Sequence, residues 1–373
     1  MSAKVITVVV AARPNFMKAG PVASALEEAF EVDLVHTGQH YDRRLSGAFL
    51  EDLGMADPAL NLGVGSGSHA EQTGGVLIAF EKYLLDRKPS AVLVVGDVNS
   101  TLAAALAAAK VGIPVGHVEA GLRSGDWTMP EEINRVLTDR LSCWLFTPSA
   151  DADVNLRAEG IADDRIHLVG NVMIDTLRSL LPEARERFDD VAGRLGVAGG
   201  DFGLLTLHRP ATVDVPAELA RALDGVGRVS AALPFLFPVH PRTTARMASA
   251  GLALPAGIIA VEPVRYLDFL SLMDRASLVI TDSGGMQEET SVLGVPCLTM
   301  RPTTERPITV ELGTNRLIPA DPDAIAAAAA EALAQEWTAA VIPLWDGRAA
   351  ERIAAILREQ FDSGPSRERG LCS

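Results

Sequence analysis

The chain has 373 residues, a formal net charge of −15 at pH 7, 48% hydrophobic residues and only 5% aromatic residues. This length exceeds what one hydrophobic core usually supports, so two domains are expected. The acidic balance argues against a nucleic-acid or membrane partner, because both repel an acidic surface. It does not exclude one bound nucleotide diphosphate, which requires only a locally positive pocket.

The N-terminus leads directly into a strand-like stretch, without the charged flank, apolar core and cleavage site of a secretory signal. No window forms an apolar run of membrane-spanning length. We therefore expect a cytoplasmic protein. The three cysteines lack CxxC spacing and the seven histidines lack metal-ligand spacing, so neither a disulfide framework nor a bound metal is expected.

Short apolar runs alternate with helical patterns, as is typical of parallel strands covered on both faces. The predicted strands span 5–10, 32–37, 91–95, 114–118, 145–148, 203–207, 235–238, 258–262, 278–281 and 295–298. The predicted helices include 22–30, 101–110, 132–141, 217–233 and 323–335. This order predicts an α/β fold with two doubly wound sheets.

The domain boundary is placed where a charged helical stretch and a loose glycine-containing loop separate the two sets of strands. We predict an N-terminal Rossmann-like domain over 1–172 and a C-terminal one over 173–346. A last helix over 347–362 is expected to pack back on the first domain, and 363–373 to form a frayed tail.

The segment 281–289, Thr-Asp-Ser-Gly-Gly-Met-Gln-Glu-Glu, follows an apolar strand and opens a helix. Its glycines let a phosphate approach the backbone, and the free N–H groups and positive dipole end of a helix N-terminus bind anions. Ser283 adds a hydroxyl donor, and Glu289 suits two ribose hydroxyls. The alternative is an ordinary strand-to-helix turn with a capping residue.

Charged side chains also follow strands of the first half. Arg13 and Lys18 follow the first strand, where two cations would neutralise a diphosphate; a solvated basic loop is the alternative. Asp97, Glu119 and Glu131 come at or near later strand ends and are expected to face one crevice. Crowded acids shift one another's pKa and can divide acid and base roles. The alternatives are an N-cap for Asp97 and a favourable first-turn charge for Glu131.

Two histidines end strands of the second half, each with an arginine nearby: His208 before Arg209, and His240 before Arg242. Histidine is the usual proton carrier near neutral pH. A single histidine is more often structural, but the repetition at two strand ends favours function.

Taken together, these motifs resemble the UDP-N-acetylglucosamine 2-epimerase family of the non-hydrolysing bacterial type. They are Arg-Pro-Asn-Phe-Met-Lys (13–18), Thr-Gly-Gln-His (37–40), Ser-His-Ala-Glu-Gln (68–72), Gly-Asp-Val-Asn-Ser-Thr (96–101), His-Val-Glu-Ala-Gly-Leu-Arg-Ser-Gly-Asp (117–126), Pro-Glu-Glu-Ile-Asn-Arg (130–135), Gly-Asn-Val-Met-Ile-Asp (170–175), Pro-Val-His-Pro (238–241), the 281–289 segment and Thr-Thr-Glu-Arg-Pro (303–307). Each motif alone is weak, but their order over residues 4–320 is highly specific.

The resemblance implies a GT-B-like architecture, with the active site in the cleft between two Rossmann-like domains, and a homodimer. It implies interconversion of UDP-GlcNAc and UDP-ManNAc with neither a metal nor a redox cofactor. It assigns catalysis to Asp97, Glu119, Glu131 and His208. It assigns substrate binding to Arg13, Lys18, Arg135, His240, Ser283, Gly284, Gly285, Glu289 and Arg306.

Members of this family are thought to eliminate UDP, giving 2-acetamidoglucal, and to add it back with the C2 proton on the other face. The C2 hydrogen is not next to a carbonyl, so its removal requires positive charge to develop at C1 as UDP leaves. Such chemistry needs cations on the diphosphate, carboxylates near C1 and acid–base groups on both faces of C2. The sequence leaves open which acid removes the proton.

Many bacterial members also bind a second, activating UDP-GlcNAc, and the resemblance places Gln39, His40, Gln72 and Arg209 in such a site. Two segments depart from the family pattern. Residues 210–212 read Pro-Ala-Thr where the family often has Glu-Asn, and residues 41–44 read Tyr-Asp-Arg-Arg rather than Arg-x-Met-Leu. Activation by substrate is therefore left open.

Three other functions remain as alternatives. The first is a hydrolysing relative that releases ManNAc and UDP, although its first loop usually reads Arg-Ala-Asp-Tyr rather than the Arg-Pro-Asn-Phe of residues 13–16. The second is a GT-B glycosyltransferase, which shares the fold and the UDP site. The third is a non-catalytic nucleotide-sugar sensor.

Overall fold

The computed structural model describes residues 4–11, 13–38 and 58–362. They form two compact units, the first within Met1–Thr176 and Pro343–Ser373, the second Leu177–Ile342. None of the helices in this part of the chain has the length and hydropathy that crossing a bilayer requires.

The first unit contains a seven-stranded sheet in the order β3-β2-β1-β4-β5-β6-β7, with every neighbouring pair parallel. Its strands are β1 (Val5–Val10), β2 (Glu31–His36), β3 (Leu60–Asn61), β4 (Ala91–Val95), β5 (Val115–Val118), β6 (Trp144–Thr147) and β7 (Ile166–Leu168). Its helices are α1 (Arg13–Glu27), α2 (His69–Arg87), α3 (Asn99–Lys110), α4 (Pro130–Leu141), α5 (Ala150–Ala158) and the start of α6 (Val172–Leu195).

Helices cover both faces of this sheet. On one face, apolar side chains of α1 pack with those of β1 and β4. On the other face, α2 and α3 pack on the same strands through residues such as Val76, Phe80 and Ala104. Helix α3 is rich in buried alanines, whose small side chains let its backbone lie close to the sheet. The burial of both faces explains why the strands read as continuous apolar runs.

The last helix, Ala349–Asp362, belongs to the first unit. Its buried Ile353 and Leu357 share a core cluster with side chains of α1 and β1. The Asp175 carboxylate accepts hydrogen bonds from the N–H groups of Ala349 at 3.1 Å and Ala350 at 2.7 Å. A carboxylate at the first turn satisfies free N–H groups and interacts favourably with the helix dipole.

The second unit contains a six-stranded parallel sheet in the order β10-β9-β8-β11-β12-β13. Its strands are β8 (Gly203–Thr206), β9 (Phe235–Pro238), β10 (Ile258–Val261), β11 (Leu278–Thr281), β12 (Cys297–Met300) and β13 (Asn315–Ile318). Its helices are the remainder of α6, then α7 (Pro210–Val213), α8 (Pro216–Ser230), α9 (Pro241–Ser249), α10 (Tyr266–Met273), α11 (Gly284–Leu293), α12 (Ile308–Glu311) and α13 (Pro322–Leu333). We number the last helix of the first unit, Ala349–Asp362, as α14.

Each sheet has one topological switch point, where the strand order reverses. It lies between β1 and β4 in the first unit and between β8 and β11 in the second. Open α/β sheets bind ligands outside the carboxyl ends of the strands at this point. The turns that follow these four strands are therefore the places to examine for a site.

The predicted α/β class with two Rossmann-like, doubly wound sheets is confirmed. Strands β3, β7 and β13 are missing from the prediction because they are short or carry polar residues. The expectation of no disulfide is wrong for Cys143, which is disulfide-bonded, whereas Cys297 is a free, buried thiol. The predicted tail, 363–373, lies outside the described residues, and the position of the active site in a cleft stays a prediction.

Candidate active site

Glu119, directly after β5, has φ +73°, in the left-handed region that residues other than glycine rarely adopt. Its side chain is 6% exposed and forms an ion pair with Lys18 of α1. The N–H groups of Glu119 and Ala120 both donate to the carbonyl of Phe146 at 3.1 Å, which fixes the turn. Unusual backbone held at the ligand-binding edge of a sheet indicates a functional constraint.

Gly96 allows several polar groups to converge after β4. Its φ is +70°, and a Cβ there would lie 3.2 Å from Asn15 Nδ2, 3.5 Å from Glu119 Oε2 and 3.6 Å from Lys18 Nζ. Asn15 Nδ2 also donates to the carbonyl of Val95 at 2.9 Å. Strands β1, β4 and β5 thus bring a buried acid, a lysine and the turn before Asp97 to one edge of the sheet.

Arg135 of α4 holds Asp97. Arg135 is 3% exposed and forms ion pairs with Asp97 and, at 2.8 Å, with Glu132. Glu132 also accepts hydrogen bonds from the N–H groups of Ser124 at 3.0 Å and Gly125 at 2.9 Å. Arg135 therefore connects the Asp97 turn to the loop that precedes α4.

A chain of side-chain amides leads from Asp97 to Gln72. Asn134 Nδ2 donates to the carbonyl of Asp97 at 2.9 Å and to Asn99 Oδ1 at 3.2 Å. Asn99 Nδ2 donates in turn to Gln72 Oε1 at 2.9 Å. Gln72, predicted for an activating site, is thereby linked to the Asp97 turn through two hydrogen-bonded residues.

The two acids at the start of α4 differ in their surroundings. The side chain of Glu131 is exposed, whereas Glu132 is 2% exposed and bound to Arg135. The family motif assigns catalysis to Glu131, whereas among the described contacts it is Glu132 that Arg135 links to Asp97. The catalytic role of Glu131 stays a prediction.

A fully buried histidine, His117, contacts the backbone of the turn at Gly96. His117 places Nδ1 2.6 Å from Asp139 Oδ1 and Nε2 2.8 Å from the carbonyl of Gly96. Burial by itself raises the pKa of Asp139, but the charges and hydrogen bonds of His117 and Arg123 outweigh it and hold that pKa below its usual value. The pair fixes the backbone that precedes Asp97.

In the second unit, two glycines begin α11, and their surroundings differ: Gly284 is tightly packed, whereas Gly285 borders empty space. A Cβ at Gly284 would lie 2.5 Å from Glu305 Oε1 and 2.8 Å from Arg306 Nη1. A Cβ at Gly285 would have no atom within 4 Å. Gly284 is therefore required for packing, whereas Gly285 leaves space where an anion would meet the free N–H groups of the helix.

Arginines surround this helix N-terminus. Arg306 forms ion pairs with Glu288 at 2.8 Å and Glu305 at 2.5 Å, and Arg301 pairs with Glu305 at 2.8 Å. Arg209 Nη2 lies 3.9 Å from Glu305 Oε1. Arg306 Nη1 would lie 2.8 Å from a Cβ at Gly284, so its charge stands beside the helix N-terminus, where an anion would bind.

Gln287 organises the loop that carries Arg306. Its fully buried amide oxygen accepts hydrogen bonds from Thr304 Oγ1 at 2.7 Å and Asn315 Nδ2 at 2.9 Å. Thr304 Oγ1 accepts in turn from the N–H of Arg306 at 3.0 Å. The position of Arg306 therefore depends on this amide.

Glu289 lies one turn further along α11 and is 5% exposed. The hydroxyl of Tyr266 donates to its Oε1 at 2.5 Å. Burial, with a smaller contribution from the charge of Glu288, raises the pKa of Glu289 to about 7, and the Tyr266 hydrogen bond opposes the rise. This carboxyl group consequently titrates close to neutral pH.

The two candidate histidines of this unit are held in different ways. Nδ1 of His208 lies 3.0 Å from Oδ1 of the fully buried Asp282. His240 caps α9, where its Nδ1 accepts a hydrogen bond from the N–H of Arg242 at 3.2 Å.

Comparison with known proteins identifies the family. The family model described as UDP-N-acetylglucosamine 2-epimerase matches residues 24–358. A UDP-N-acetylglucosamine 2-epimerase of Methanocaldococcus jannaschii is 42% identical over 364 residues, which cover 94% of this chain and 98% of that protein. The chain belongs to the UDP-N-acetylglucosamine 2-epimerase family.

A solved structure and a second relative extend this comparison. The crystal structure of Methanocaldococcus jannaschii UDP-GlcNAc 2-epimerase in complex with UDP-GlcNAc and UDP has a TM-score of 0.87 at 41% identity, covering 95% of this chain and 99% of that chain. A UDP-2,3-diacetamido-2,3-dideoxy-D-glucuronate 2-epimerase of Pseudomonas aeruginosa is 39% identical over 360 residues, covering 95% of this chain and 99% of that protein. The family resemblance seen in the motifs is confirmed, and the chain is an enzyme of the isomerase class.

The residues predicted from the epimerase-family motifs fall into three groups. Those that lie in connected clusters are Lys18, Gln72, Asp97, Glu119 and Arg135 in the first unit, and His208, Arg209, Ser283, Gly284, Gly285, Glu289 and Arg306 in the second. Those with no ion pair or hydrogen bond to these clusters among the described contacts are Glu131 and His240. The side chain of Arg13, and all of Gln39 and His40, lie outside what the structure describes.

Five examples of residues that shape the site but were not predicted are Asn15, Glu132, Tyr266, Asp282 and Gln287. All except Tyr266 lie inside the family motifs, so the motif was a signal for them, but the motif does not tell a supporting residue from a reacting one. Tyr266 lies outside every motif, and it contacts Glu289 because the fold brings the two helices that carry these residues into contact. Within the described ranges, no group of three or more His, Cys, Asp or Glu side chains is arranged to hold a metal ion.

Proposed function

We propose that the protein interconverts UDP-GlcNAc and UDP-ManNAc by reversible 2-epimerisation, without release of free ManNAc. The observation that carries the proposal is Glu119, a buried carboxylate in left-handed backbone, ion-paired with Lys18 at the carboxyl end of β5. Neither hydrophobic packing nor helix capping explains a buried acid in that conformation. The 41% identical structure in complex with UDP-GlcNAc and UDP supports the choice of substrate.

The proposed reaction begins with cleavage of the bond between C1 and the UDP oxygen. As UDP leaves, C1 becomes positively charged and the C2 proton becomes acidic, so a basic side chain removes it and 2-acetamidoglucal forms. UDP then adds back to C1 while a proton is delivered to the opposite face of C2. No net proton is consumed, and the only change is the configuration at C2.

The connected residues of the two units have different proposed roles in the reaction. The open N-terminus at Ser283, Gly284 and Gly285, with Arg306 beside it, would hold the diphosphate, and Glu289 would accept hydrogen bonds from ribose hydroxyls. Arg13, Lys18 and Arg135 would add positive charge, and His240 would donate to the substrate.

The remaining acids and His208 would carry the proton transfers. Asp97, Glu119, Glu131 and His208 are the proposed acid–base groups. Gln39, His40, Gln72 and Arg209 remain the proposed site for an activating UDP-sugar. The homodimer, the cleft position of the site and the cytoplasmic location stay predictions.

Incubation of the protein with UDP-GlcNAc alone in deuterated water, followed by proton NMR, tests the proposal. We expect UDP-ManNAc to appear and deuterium to enter C2 of both sugars. Accumulation of free ManNAc would identify the hydrolysing alternative. Transfer of the sugar only after an acceptor is added, with no deuterium at C2, would identify a glycosyltransferase, and a lack of any reaction would leave a sensor.

Two variants make this experiment specific. Glu119→Gln should reduce the deuterium exchange by about a hundredfold or more, because it removes a buried charge beside the reacting carbons. Glu183→Gln, which changes an exposed acid paired only with Arg187, should leave the exchange unchanged.

A second substrate is favoured by the Pseudomonas aeruginosa relative, a UDP-2,3-diacetamido-2,3-dideoxy-D-glucuronate 2-epimerase at 39% identity. That sugar carries the same acetamido group at C2, so the proposed elimination applies to it unchanged, but it differs at C3 and C6. Comparison of kcat/KM for the two UDP-sugars decides between them. A higher value for the diacetamido glucuronate would replace UDP-GlcNAc as the proposed substrate.

A further inference from the structure

Asp282 meets His208 because strands β8 and β11 are neighbours. Thr206 of β8 pairs with Thr281 of β11, so the turns that follow the two strands lie side by side. Asp282 is 0% exposed, whereas the side chain of His208 is 56% exposed. One residue is thus entirely inside the unit and the other presents its ring at the surface.

Within the described residues, two backbone N–H groups donate to the Asp282 carboxylate. Both of its oxygens lie 3.1 Å from the backbone N of His208, and Oδ2 accepts from the N–H of Arg209 at 3.0 Å. Oδ1 also lies 3.0 Å from Nδ1 of the His208 ring. Burial by itself raises the pKa of Asp282, but the His208 ring and these two N–H groups outweigh it and hold that pKa below its usual value.

An ionised carboxylate accepts hydrogen bonds and cannot donate them. The nitrogen of His208 that faces it must therefore carry a hydrogen, and in the neutral ring the lone pair is then on Nε2. The backbone N–H groups of His208 and Arg209 also fix the Asp282 carboxylate, so the group that the ring nitrogen faces has a set position.

We propose that Asp282 is a positioning residue that holds His208 as its Nδ1–H tautomer, so that Nε2 exchanges a proton with the substrate. In one direction of the reaction Nε2 takes a proton from the sugar and the ring becomes an imidazolium beside the Asp282 carboxylate. In the other direction the same proton returns to the sugar. The step needs no other reactant, and Nδ1–H faces the Asp282 carboxylate before and after the transfer.

His240, the other candidate histidine of this unit, is held in a different way. Nδ1 of His240 accepts a hydrogen bond from the N–H of Arg242 at the start of α9, so its neutral ring carries the hydrogen on Nε2. A ring in that tautomer donates a hydrogen bond, for example to a phosphate oxygen, but has no free lone pair for a proton. The two histidines therefore have opposite tautomers and suit different tasks.

The inference rests on the proposed function only for the identity of the reacting proton, since the tautomer of His208 is a property of the protein alone. It is tested first by nitrogen-15 NMR of the imidazoles in the wild-type protein, with His208→Gln used to assign the signals. We expect the Nδ1–H tautomer for His208 and the Nε2–H tautomer for His240. An Nε2–H tautomer at His208 would overturn the proposal whether or not the protein epimerises any sugar.

Asp282→Asn provides the second test. The asparagine oxygen can still accept from the backbone N–H groups, but its amide N–H faces Nδ1 and favours the opposite tautomer. We expect kcat for the substrate that the wild-type protein epimerises to fall by about 10²–10⁴, as for the corresponding change in a Ser-His-Asp triad. KM and the affinity for UDP should change by no more than about twofold.

Asp268→Asn is the matched control, because Asp268 is also a buried acid of the second unit but pairs with Arg187 and Arg194. It should leave kcat unchanged. Retention of kcat in Asp282→Asn, or an equal loss in both variants, would overturn the positioning role. If the wild-type protein shows the expected tautomer but epimerises no UDP-sugar, the proposed function fails while the tautomer assignment holds.

Discussion

Lys18 and Glu119 form an ion pair although both side chains are nearly buried, with exposed fractions of 12% and 6%. The pair joins α1 to the turn after β5, and that turn carries the left-handed backbone of Glu119. Removing two charges from water costs free energy, so the attraction between them must offset their desolvation. A buried ion pair with such a desolvation cost, at the carboxyl end of the sheet, is expected where the two charges bind a ligand.

Replacing one partner of this pair should therefore greatly lower the stability of the protein. We expect Lys18→Met to lower the free energy of unfolding by about 3–5 kcal/mol, because Glu119 is left buried without its counter-charge. Chemical denaturation measures the loss, and the double variant Lys18→Met, Glu119→Gln should lose less than the sum of the two single variants. Lys82→Met, at an exposed position of α2, is the control and should be neutral; additive losses would mean that the pair is not coupled.

The two glycines at the start of α11 should respond differently to alanine. Gly285→Ala should raise the free energy of unfolding by about 0.5–1 kcal/mol, because alanine favours the helix and its Cβ meets open space. The same methyl group should weaken UDP binding, because it occupies the space proposed for a phosphate. Isothermal calorimetry with UDP measures the affinity.

Gly284→Ala is the matched comparison. Its Cβ would lie within 3 Å of Glu305 and Arg306, so this variant should lose stability as well as affinity. Unchanged UDP affinity in Gly285→Ala would contradict a diphosphate at this helix N-terminus.

Glu289 should make the second unit sensitive to pH. Its pKa is raised from 4.5 to about 7, so between these values the folded state binds more protons than the unfolded state. The stability that this group contributes is therefore present below pH 4.5 and lost as the pH rises through about 7.

Glu289→Gln removes this titration but keeps an oxygen for the Tyr266 hydroxyl. The stability of the variant relative to the wild-type protein should rise by about 2.5 kcal/mol between pH 5 and pH 8. Denaturation curves at both pH values give the difference. Parallel pH dependence in the two proteins would show that Glu289 has an ordinary pKa.

Asp139 should have the opposite dependence. Its pKa is held below 3.8, the value of an unperturbed aspartate, so its contribution to stability is present above that pH and is lost as the pH falls through the folded-state pKa. Asp139→Asn should lower the free energy of unfolding at pH 7 by about 3–5 kcal/mol, because Arg123 and His117 lose a buried counter-charge. The difference in stability between the two proteins should then shrink as the pH falls through the folded-state pKa of Asp139; equal stability of the two proteins at pH 7 would contradict the prediction.

Much of the candidate site can be predicted from the sequence, because its residues lie in short motifs that follow apolar strands. Asp97, Glu119 and Ser283 were predicted from their positions at strand ends, and each one follows an observed strand of a parallel sheet. The different burial of Glu131 and Glu132 could not be predicted, because the sequence does not show which of two adjacent acids in a first helical turn faces the interior. Tyr266 has no local signal, since its contact with Glu289 joins two separate helices.

The sequence by itself determined the α/β alternation, the strand positions and the ordered motifs of the family, because apolar periodicity and glycine-containing turns are local properties of the chain. Only the tertiary structure decided which polar groups meet. His208 and Asp282 are 74 residues apart and come together because β8 and β11 pair in parallel. The raised pKa of Glu289 and the lowered pKa of Asp139 likewise depend on burial and on charges supplied by distant segments. Strand pairing and desolvation are not encoded in any single stretch of residues, so the chemistry of the site appears only once the sheets have formed.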